Sequence, residues 1–317
     1  MNLIDRIFSE PELRASPPVL VDVGAAGGVH PVWRRIARHA IGVGFEPDAR
    51  EAAPLGAAQR LFKHWIFCPG LALPVATPDG RAQLHLTRSP QCSSTLQPRA
   101  TAVGEWAFAD LFDVMDTRTF PATTLLAALQ AQGLNRVDWL KCDTQGLDLR
   151  LFPSLPPAWR TQLLAVEFEP GLTDVYEGED KLADVLAAMK CEPFWLAELE
   201  VGRTPRGRPA LLAAHLGANA VRWVRRLAPG APAWANARYL RDPVLAADGL
   251  DRRALLLGWV FATLSGQHAH ALAVADAGTR RFAGGIFVAM TAASVRSLRW
   301  AMVRGLPAAI WRRLRSV

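Results

Sequence analysis

Short apolar runs that end in glycine or in acidic residues recur along the first 240 residues of the chain. Residues 19–23 (VLVDV) place β-branched apolar residues together and stop at Gly24, which is typical of a buried strand. Six further segments follow a similar pattern. Strands are therefore predicted at 19–23, 40–48, 64–73, 136–146, 161–170, 193–201 and 234–243.

Segments with helical character lie between several of these strands. Pro31 suits the first turn of a helix, because its missing N–H would have no partner there, and Gly133 suits the end of one. Helices are predicted at 31–39, 49–61, 121–133 and 180–190. A Pro-Asp-Gly turn inside 76–89 predicts a hairpin, and 89–113 is predicted to be a long loop.

The alternation of strands and helices predicts the fold class. Right-handed crossovers between parallel strands give a mostly parallel sheet with helices on both faces, so we expect an α/β, Rossmann-like domain. From residue 244 the sequence is rich in Ala, Leu, Trp and Arg and predicts helices alone. The predicted organisation is a helical lead-in at 1–18, an α/β domain at 19–243 and a basic helical extension at 244–317.

Polar residues collect at the predicted carboxyl ends of the strands, which meet at one edge of a parallel sheet. Asp22 precedes a turn that contains Gly24, Ala25 and Gly27, and its glycine spacing differs from the dinucleotide pattern G-x-G-x-x-G. Glu46 follows the next strand, where a carboxylate can bind two ribose hydroxyls. Together they favour a nucleoside without phosphates, such as S-adenosylmethionine. The alternative is an ordinary strand-to-helix turn beside a solvated acid.

Seven motifs follow one another along three quarters of the chain: VDVGAAGG, GFEPD, CSSTLQP, TTLLAAL, VDWLKCDTQGLDLRLF, LAVEFEP with VYEGED, and ANARYLRD. In this order they resemble the FkbM family of S-adenosylmethionine-dependent methyltransferases. The resemblance implies a class I methyltransferase fold, S-adenosylmethionine as cofactor, and O-methylation of a sugar, glycan or secondary-metabolite hydroxyl.

The chain departs from the family pattern at three positions, Leu126, Asp148 and Asn236. Leu126 and Asn236 motivate a second hypothesis, in which a catalytically degenerate methyltransferase fold serves as a binding or membrane-associated scaffold. Retained cofactor binding without methyl transfer would distinguish this scaffold from an enzyme.

Methyl transfer to a hydroxyl requires that its oxygen be aligned with the methyl group and that its proton be removed or shared. Asp143, at a predicted strand end, is the first candidate for orienting or deprotonating the hydroxyl, and Glu167 is the second. Gln145 is predicted to hydrogen-bond the acceptor. The alternatives are a helix N-cap for Asp143 and a solvated or ion-paired acid for Glu167.

Further residues complete the predicted site. The predicted cofactor-binding residues are Asp22, Gly24, Ala25, Gly27, Glu46 and Asp143. Ser93 and Ser94 match a family motif, and with Glu169 they are predicted to contact the acceptor. Asp143 and Glu167 could together hold Mg²⁺, but no dedicated third ligand accompanies them, so no metal is predicted.

The composition of the chain bears on its cellular compartment and on its partners. The 317 residues include four cysteines, none at zinc or redox spacing, which fits a reducing, cytoplasmic setting. The net charge of +7 is uneven, because residues 201–317 carry +14 and the first 200 carry −7. Since the basic part lacks a recognisable RNA-binding motif, an RNA methyltransferase is only a further alternative and nucleic acid is not the predicted partner.

The basic C-terminal segment has two interpretations. On a helix, Leu298, Met302, Leu306 and Ile310 form an apolar stripe with arginines largely beside it. The helix either packs on the domain or on a second subunit, or it lies on an anionic membrane. No signal peptide or membrane span is predicted, so we expect a cytoplasmic protein with self-association or peripheral membrane contact.

Overall fold

The computed structural model describes residues 2–243 and 250–315, except the side chains of residues 49, 52–55, 57 and 305–315. The chain divides into two units. One comprises Pro18–Tyr239, and the other joins the residues up to Pro17 to those from Leu240 onward. The predicted lead-in at 1–18 and the predicted extension at 244–317 thus belong almost entirely to one unit.

The strands form a larger and a smaller sheet. They are β1 (Val19–Val23), β2 (Ile41–Phe45), β3 (His64–Cys68), β4 (Leu71–Leu73), β5 (Arg81–Thr87), β6 (Val114–Thr124), β7 (Trp139–Cys142), β8 (Ala165–Phe168), β9 (Phe194–Thr204) and β10 (Ala231–Arg241). The larger sheet has the order β3-β2-β1-β7-β8-β10-β9. Its five neighbouring strands β3, β2, β1, β7 and β8 pair in parallel. The predicted α/β class and mostly parallel sheet are confirmed.

The order of the larger sheet distinguishes it from a dinucleotide-binding sheet. In the latter the strands follow the order 3-2-1-4-5-6. Counted along the chain, β8, β9 and β10 are the fifth, sixth and seventh strands of this sheet. Within the sheet, however, β10 lies between β8 and β9. All residues of β1 and β8 are buried, and since successive side chains point to opposite faces, both faces of these strands are covered.

The α-helices come before, between and after these strands along the chain. They are α1 (Leu3–Phe8), α2 (Pro11–Ala15), α3 (Ala52–Leu61), α4 (Ala100–Val103), α5 (Leu125–Ala131), α6 (Asp148–Ser154), α7 (Pro157–Arg160), α8 (Leu182–Met189), α9 (Pro209–Leu216), α10 (Ala220–Leu227), α11 (Arg252–Leu264), α12 (His268–Arg281) and α13 (Gly285–Arg315). The predicted helices at 49–61 and 180–190 are confirmed by α3 and α8. Sequence patterns did not predict α9 and α10.

The predicted helix at 31–39 is wrong. Two 3₁₀ helices, Pro31–Arg35 and Ala37–His39, occupy this segment instead. Ile36 interrupts the spiral with φ −119°, and its side chain is fully buried. At three residues per turn the side chains of Trp33 and Ile36 lie on the same side of the segment, and both are buried.

Three predictions are wrong in the region of the smaller sheet, whose strands pair in the order β4-β6-β5. The predicted strand at 64–73 breaks after Cys68, and Leu71–Leu73 joins this second sheet. The predicted hairpin at 76–89 does not form, since Arg81–Thr87 pairs with β6 instead. Because β6 continues through Thr124, the predicted helix at 121–133 begins only at Leu125, capped by the Thr124 side chain.

The predicted loop at 89–113 contains three short helical segments. They are a 3₁₀ helix at Pro90–Cys92, α4, and a 3₁₀ helix at Ala109–Phe112. Trp106 and Phe108 between them are buried in a cluster with Val103, Val175 and Tyr176. The segment is therefore packed against the domain by aromatic side chains, and it contributes to the site described below.

The second unit consists of α1, α2 and the helices α11 to α13. The Arg252 guanidinium pairs with Glu10 and Glu12 at 2.5 and 2.6 Å, which ties α11 to the N-terminal helices. In the same unit, Trp259 Nε1 donates to Ser294 Oγ at 2.9 Å. This pairing joins α11 to α13.

Helix α13 packs by its first half. Ile286, Phe287 and Met290 are buried, whereas Trp300 and Met302 are exposed by 60% and 63%. Of the predicted stripe, Leu298 is half-buried, and the side chains of Leu306 and Ile310 lie outside the described residues. By length and composition the segment Gly285–Arg304 could cross a membrane, with mean hydropathy 1.2 and 22% of its apolar window buried. The sequence analysis did not predict this.

Candidate active site

A cavity of about 280 Å³ lies at the carboxyl ends of β1, β2 and β7, where ligands of α/β sheets bind. Six of the predicted site residues line it: Gly24, Glu46, Ser93, Asp143, Gln145 and Glu169. Asp22, Ala25, Gly27, Ser94 and Glu167 do not line it. The structure thus brings together about half of the predicted site, and the other five residues lie outside the cavity wall.

Gly24 brings the turn after β1 against the end of β7. Its φ is +86°, and an added Cβ would lie 1.8 Å from the backbone oxygen of Asp143, so only glycine fits. The Gly24 and Ala25 N–H groups both donate to the Phe45 carbonyl, at 3.1 and 3.0 Å. The turn is thereby fixed to the ends of β2 and β7 at once.

Gly27 has a different environment from Gly24. Its φ is +80°, but an added Cβ would meet no atom within 4 Å. Its N–H donates to Glu51 Oε2 at 3.0 Å. The Glu51 carboxylate therefore accepts a hydrogen bond from the Gly27 N–H, which in a dinucleotide-binding turn would be available to a phosphate.

Glu46 follows β2 directly, and its side chain reaches the cavity wall although it is only 7% exposed. Its Oε1 accepts a hydrogen bond from the Asp48 N–H at 2.8 Å. Burial, together with the nearby Asp48 carboxylate, raises the pKa of Glu46 to about 7. Arg50 pairs with Asp48 at 2.5 Å and donates to the Thr87 carbonyl at 3.0 Å, which fixes the loop behind Glu46.

Asp22 does not line the cavity, but it contacts Lys141, which in turn contacts the cavity residue Asp143. The Lys141 Nζ lies 2.8 Å from Asp22 Oδ1 and 3.5 Å from Asp143 Oδ2. Burial raises the pKa of Asp22 to about 6, although the Lys141 charge opposes this shift. Burial disfavours the ammonium of Lys141, but Asp22 and Asp143 outweigh that effect and raise its pKa. Lys141 thus links the predicted cofactor-binding acid to the predicted catalytic acid.

Gln145 is held in a strained conformation next to Asp143. It is a non-glycine residue with φ +60°. Its Nε2 donates to Asp143 Oδ1 at 2.8 Å, and its Oε1 accepts from the Tyr176 hydroxyl at 3.1 Å. Ser94 Oγ donates to the Gln145 carbonyl at 2.7 Å. Ser94 is 1% exposed and therefore supports Gln145, so the structure does not place it on a cavity wall as an acceptor contact.

Glu169 forms a carboxyl–carboxylate pair with Asp143. Burial, the Asp143 charge and a hydrogen bond to Asp143 raise the pKa of Glu169 to about 9. A shift in this direction favours the protonated form of the Glu169 carboxyl. Asp148 positions both partners, since its Oδ2 accepts from the Glu169 N–H at 3.0 Å and its Oδ1 from the Thr144 N–H at 2.6 Å.

Glu167, the second predicted catalytic acid, does not line the cavity. It is 8% exposed and lies one position inside the end of β8. Its Oε1 accepts from Trp139 Nε1 at 2.7 Å, and its Oε2 pairs with Arg238 at 3.1 Å and with His30 at 3.5 Å. These contacts hold Glu167 in a buried ion cluster, where it supports the sheet rather than the site.

A second cavity of about 380 Å³ adjoins the first. Gln91, Gln145 and Glu169 line both cavities and so stand at their junction. Four aromatic side chains line the second cavity: Phe108, Phe112, Tyr176 and Trp234. Apolar rings with a few polar groups at one end form a typical small-molecule site. Ser93, predicted to contact the acceptor, lines only the first cavity of the two.

Three residues that contact the predicted site residues received no role in the sequence analysis: Lys141, Asp148 and Tyr176. Lys141 and Asp148 stand in the block LKCDTQGLD, so their nearness to Asp143 was visible, but their contacts with Asp22 and with the Glu169 N–H depend on strand register. Tyr176 lies in VYEGED, and no local signal places it beside Gln145.

Among the residues that the structure describes, no group of three or more His, Cys, Asp or Glu side chains is placed to hold a metal ion. No protein-family model matches the sequence, and no curated protein matches it either.

Proposed function

We propose that the chain is an S-adenosylmethionine-dependent O-methyltransferase that acts on a hydroxyl of a sugar, glycan or secondary metabolite. One observation carries the proposal. Gly24, Glu46 and Asp143 line one cavity, and Glu169, which interacts with Asp143, stands at the junction of that cavity with a second, aromatic cavity. This arrangement provides two adjoining binding volumes with a proton-handling group between them.

The residues of the first cavity fit S-adenosylmethionine better than a phosphate-bearing cofactor. Glu46 stands where a carboxylate binds ribose hydroxyls. The Glu51 carboxylate occupies the N–H of Gly27 and repels a phosphate. Glu46 and Asp143 make the wall acidic, which favours a cationic sulfonium, and Phe45 and Leu84 supply apolar surface. The G-x-G-x-x-G pattern and the dinucleotide strand order are both lacking in the described chain, which disfavours a nicotinamide cofactor.

When bound, S-adenosylmethionine supplies an electrophilic methyl group. The chain's own residues must present the acceptor oxygen and receive its proton. An acceptor in the aromatic cavity meets Gln145 and Glu169 at the junction, where the Gln145 amide orients the hydroxyl. Its proton passes to the Asp143–Glu169 pair, either to Asp143 directly or to Glu169 as Glu169 gives its own proton to Asp143. Lys141 stabilises the Asp143 carboxylate before the transfer.

Binding of S-adenosylhomocysteine by isothermal titration calorimetry tests the first step. We expect micromolar binding by the wild type and a loss of about tenfold or more in Glu46→Gln, because the amide offers one acceptor oxygen where the Glu46 carboxyl offers two oxygens to the ribose hydroxyls. Glu105→Gln is the matched control, since Glu105 is half-exposed and lines neither cavity. A folded wild type that does not bind would contradict the proposed cofactor.

Turnover tests the second step. With a panel of hydroxyl acceptors, Asp143→Asn is expected to lower methyl transfer by about a hundredfold or more and to change S-adenosylhomocysteine affinity far less. Unchanged turnover would remove Asp143 from the mechanism. Cofactor binding with no transfer to any acceptor would favour the scaffold hypothesis that Leu126 and Asn236 motivated.

A further inference from the structure

Residues 201–241 contain eight arginines and no acidic residue. Helices α9 and α10 lie in the middle of this stretch, between β9 and β10. Four large apolar side chains of the two helices are exposed by half or more, namely Leu211, Leu216, Trp223 and Leu227. A hairpin of two short helices with this surface differs from an ordinary solvated face, which would carry polar side chains.

The two faces of α10 have different partners. Val221 is buried, and Arg225, one turn later, donates to the Ala107 carbonyl at 3.1 Å and pairs with Asp110. Since residues four apart share a face of a helix, these two residues fix α10 to the domain. Trp223 and Leu227 share another face, which points away from these contacts.

The exposed face of α10 combines apolar and cationic groups. Arg222 and Arg226 are exposed beside Trp223 and Leu227, and the Arg222 guanidinium lies 5.2 Å from the Trp223 ring. Helices that lie in the membrane interface place Trp and Leu on one side and arginines beside them. An anionic lipid surface would attract the arginines and accept the apolar side chains. Nucleic acid would also attract the arginines, but it offers nothing to two exposed leucines on α9.

We propose that α9 and α10 dock on an anionic lipid surface and that the methyl acceptor is an amphipathic hydroxyl compound held in that surface. The docking face belongs to a helix whose other face contributes Arg225 to the wall of the aromatic cavity. Arg203 and Thr204, just before the hairpin, line the same cavity. An acceptor headgroup would therefore enter the cavity beside the lipid surface. The claim about the acceptor rests on the proposed function, whereas the claim about docking does not.

Vesicle flotation tests the docking. The full chain is mixed with vesicles of phosphatidylcholine alone or with about one-third phosphatidylglycerol, and the bound fraction is measured against lipid concentration. We expect the partition coefficient to be about tenfold or more higher on the anionic vesicles and to fall with salt. Trp223→Ser/Leu227→Ser is expected to lower it by about tenfold or more, and Arg222→Gln/Arg226→Gln to weaken its salt dependence.

The matched control is Trp300→Ser/Met302→Ser on α13, which removes two side chains of similar exposure from the other unit. This variant should lower the partition coefficient less than Trp223→Ser/Leu227→Ser does. The proposal is overturned if the Trp223/Leu227 variant binds anionic vesicles like the wild type, or if the wild type binds neutral and anionic vesicles equally. It is also overturned if the wild type binds neither and the hairpin variant instead abolishes a dimer in solution.

Two separate measurements keep the two proposals apart. Vesicle binding is measured without cofactor, and S-adenosylhomocysteine binding is measured without vesicles. Loss of vesicle binding in the Trp223/Leu227 variant with unchanged S-adenosylhomocysteine affinity supports the docking. If the wild type binds vesicles but not S-adenosylhomocysteine, the proposed function fails while the docking surface stands.

Discussion

Replacing Gly24 by alanine tests whether the turn after β1 is built for close approach to β7. The substitution adds one methyl group, which would lie 1.8 Å from the Asp143 backbone oxygen. Gly27→Ala adds the same methyl group at nearly the same φ, +80° against +86°, but into open space. The pair therefore separates the cost of close approach from the cost of the backbone conformation.

The expected magnitudes follow from the two environments. A left-handed conformation costs alanine about 1–2 kcal/mol, and both variants bear this cost. In Gly24→Ala the ends of β1 and β7 must also separate by on the order of 1 Å, and forced overpacking adds about 1–3 kcal/mol. We therefore expect losses in the free energy of unfolding of about 2–5 kcal/mol for Gly24→Ala and about 1–2 kcal/mol for Gly27→Ala.

Urea unfolding followed by circular dichroism measures these losses, and calorimetry with S-adenosylhomocysteine measures the effect on the site. Because Gly24 lines the cavity and abuts Asp143, its variant should also lose S-adenosylhomocysteine binding, whereas Gly27→Ala should retain most of it. Equal losses of stability in the two variants would refute the argument, since they would show that the backbone conformation alone sets the cost.

Substitutions at three residues, Lys141, Glu46 and Tyr176, test the buried polar groups of the site. Lys141→Met leaves Asp22 buried without its cation and should lower the free energy of unfolding by about 3–5 kcal/mol in urea, whereas Lys141→Arg should cost less. Burial raises the pKa of Glu46 from 4.5 to about 7, so its contribution to stability is present below pH 4.5 and lost as pH rises through 7. Relative to the wild type, Glu46→Gln should therefore gain in urea midpoint between about pH 5 and about pH 8. The Tyr176 hydroxyl lies 2.8 Å from the Cys92 carbonyl oxygen and 3.1 Å from Gln145 Oε1, so Tyr176→Phe removes a donor that these two acceptors share. The substitution should lower the free energy of unfolding by about 1–2 kcal/mol, and it should lower turnover because Gln145 orients the proposed acceptor.

The fold class could be predicted because buried strands carry their own signal. VLVDV and LLAVEF are apolar apart from Asp22 and Glu167, and every residue of β1 and β8 is buried, since both faces of these strands are covered. The 11-residue strand β6 gives no such signal, because most of its side chains are exposed and its first half alternates charged and polar residues. Its pairing with β5 and β4 is long-range, and this explains why the hairpin and the start of α5 were misplaced.

Predicting the candidate site required knowing the residue at which each strand ends. Glu167 and Glu169 were both assigned to the end of a strand at 161–170, but β8 ends at Phe168. In the parallel ladder Lys141 pairs with Glu167 and Cys142 with Phe168, so the next positions, Asp143 and Glu169, leave the sheet together.

This difference of two residues, about 6–7 Å along a strand, separates a structural acid from a site acid. Glu167 stays among Trp139, His30 and Arg238, which satisfy its charge inside the sheet. Glu169 lies past the last rung, where it faces Asp143 and both cavities. Sequence patterns locate a strand end only to within a few residues. The register of β7 and β8 therefore decides which glutamate lines the cavities: Glu169 does, whereas Glu167, the second catalytic acid predicted from the sequence, does not.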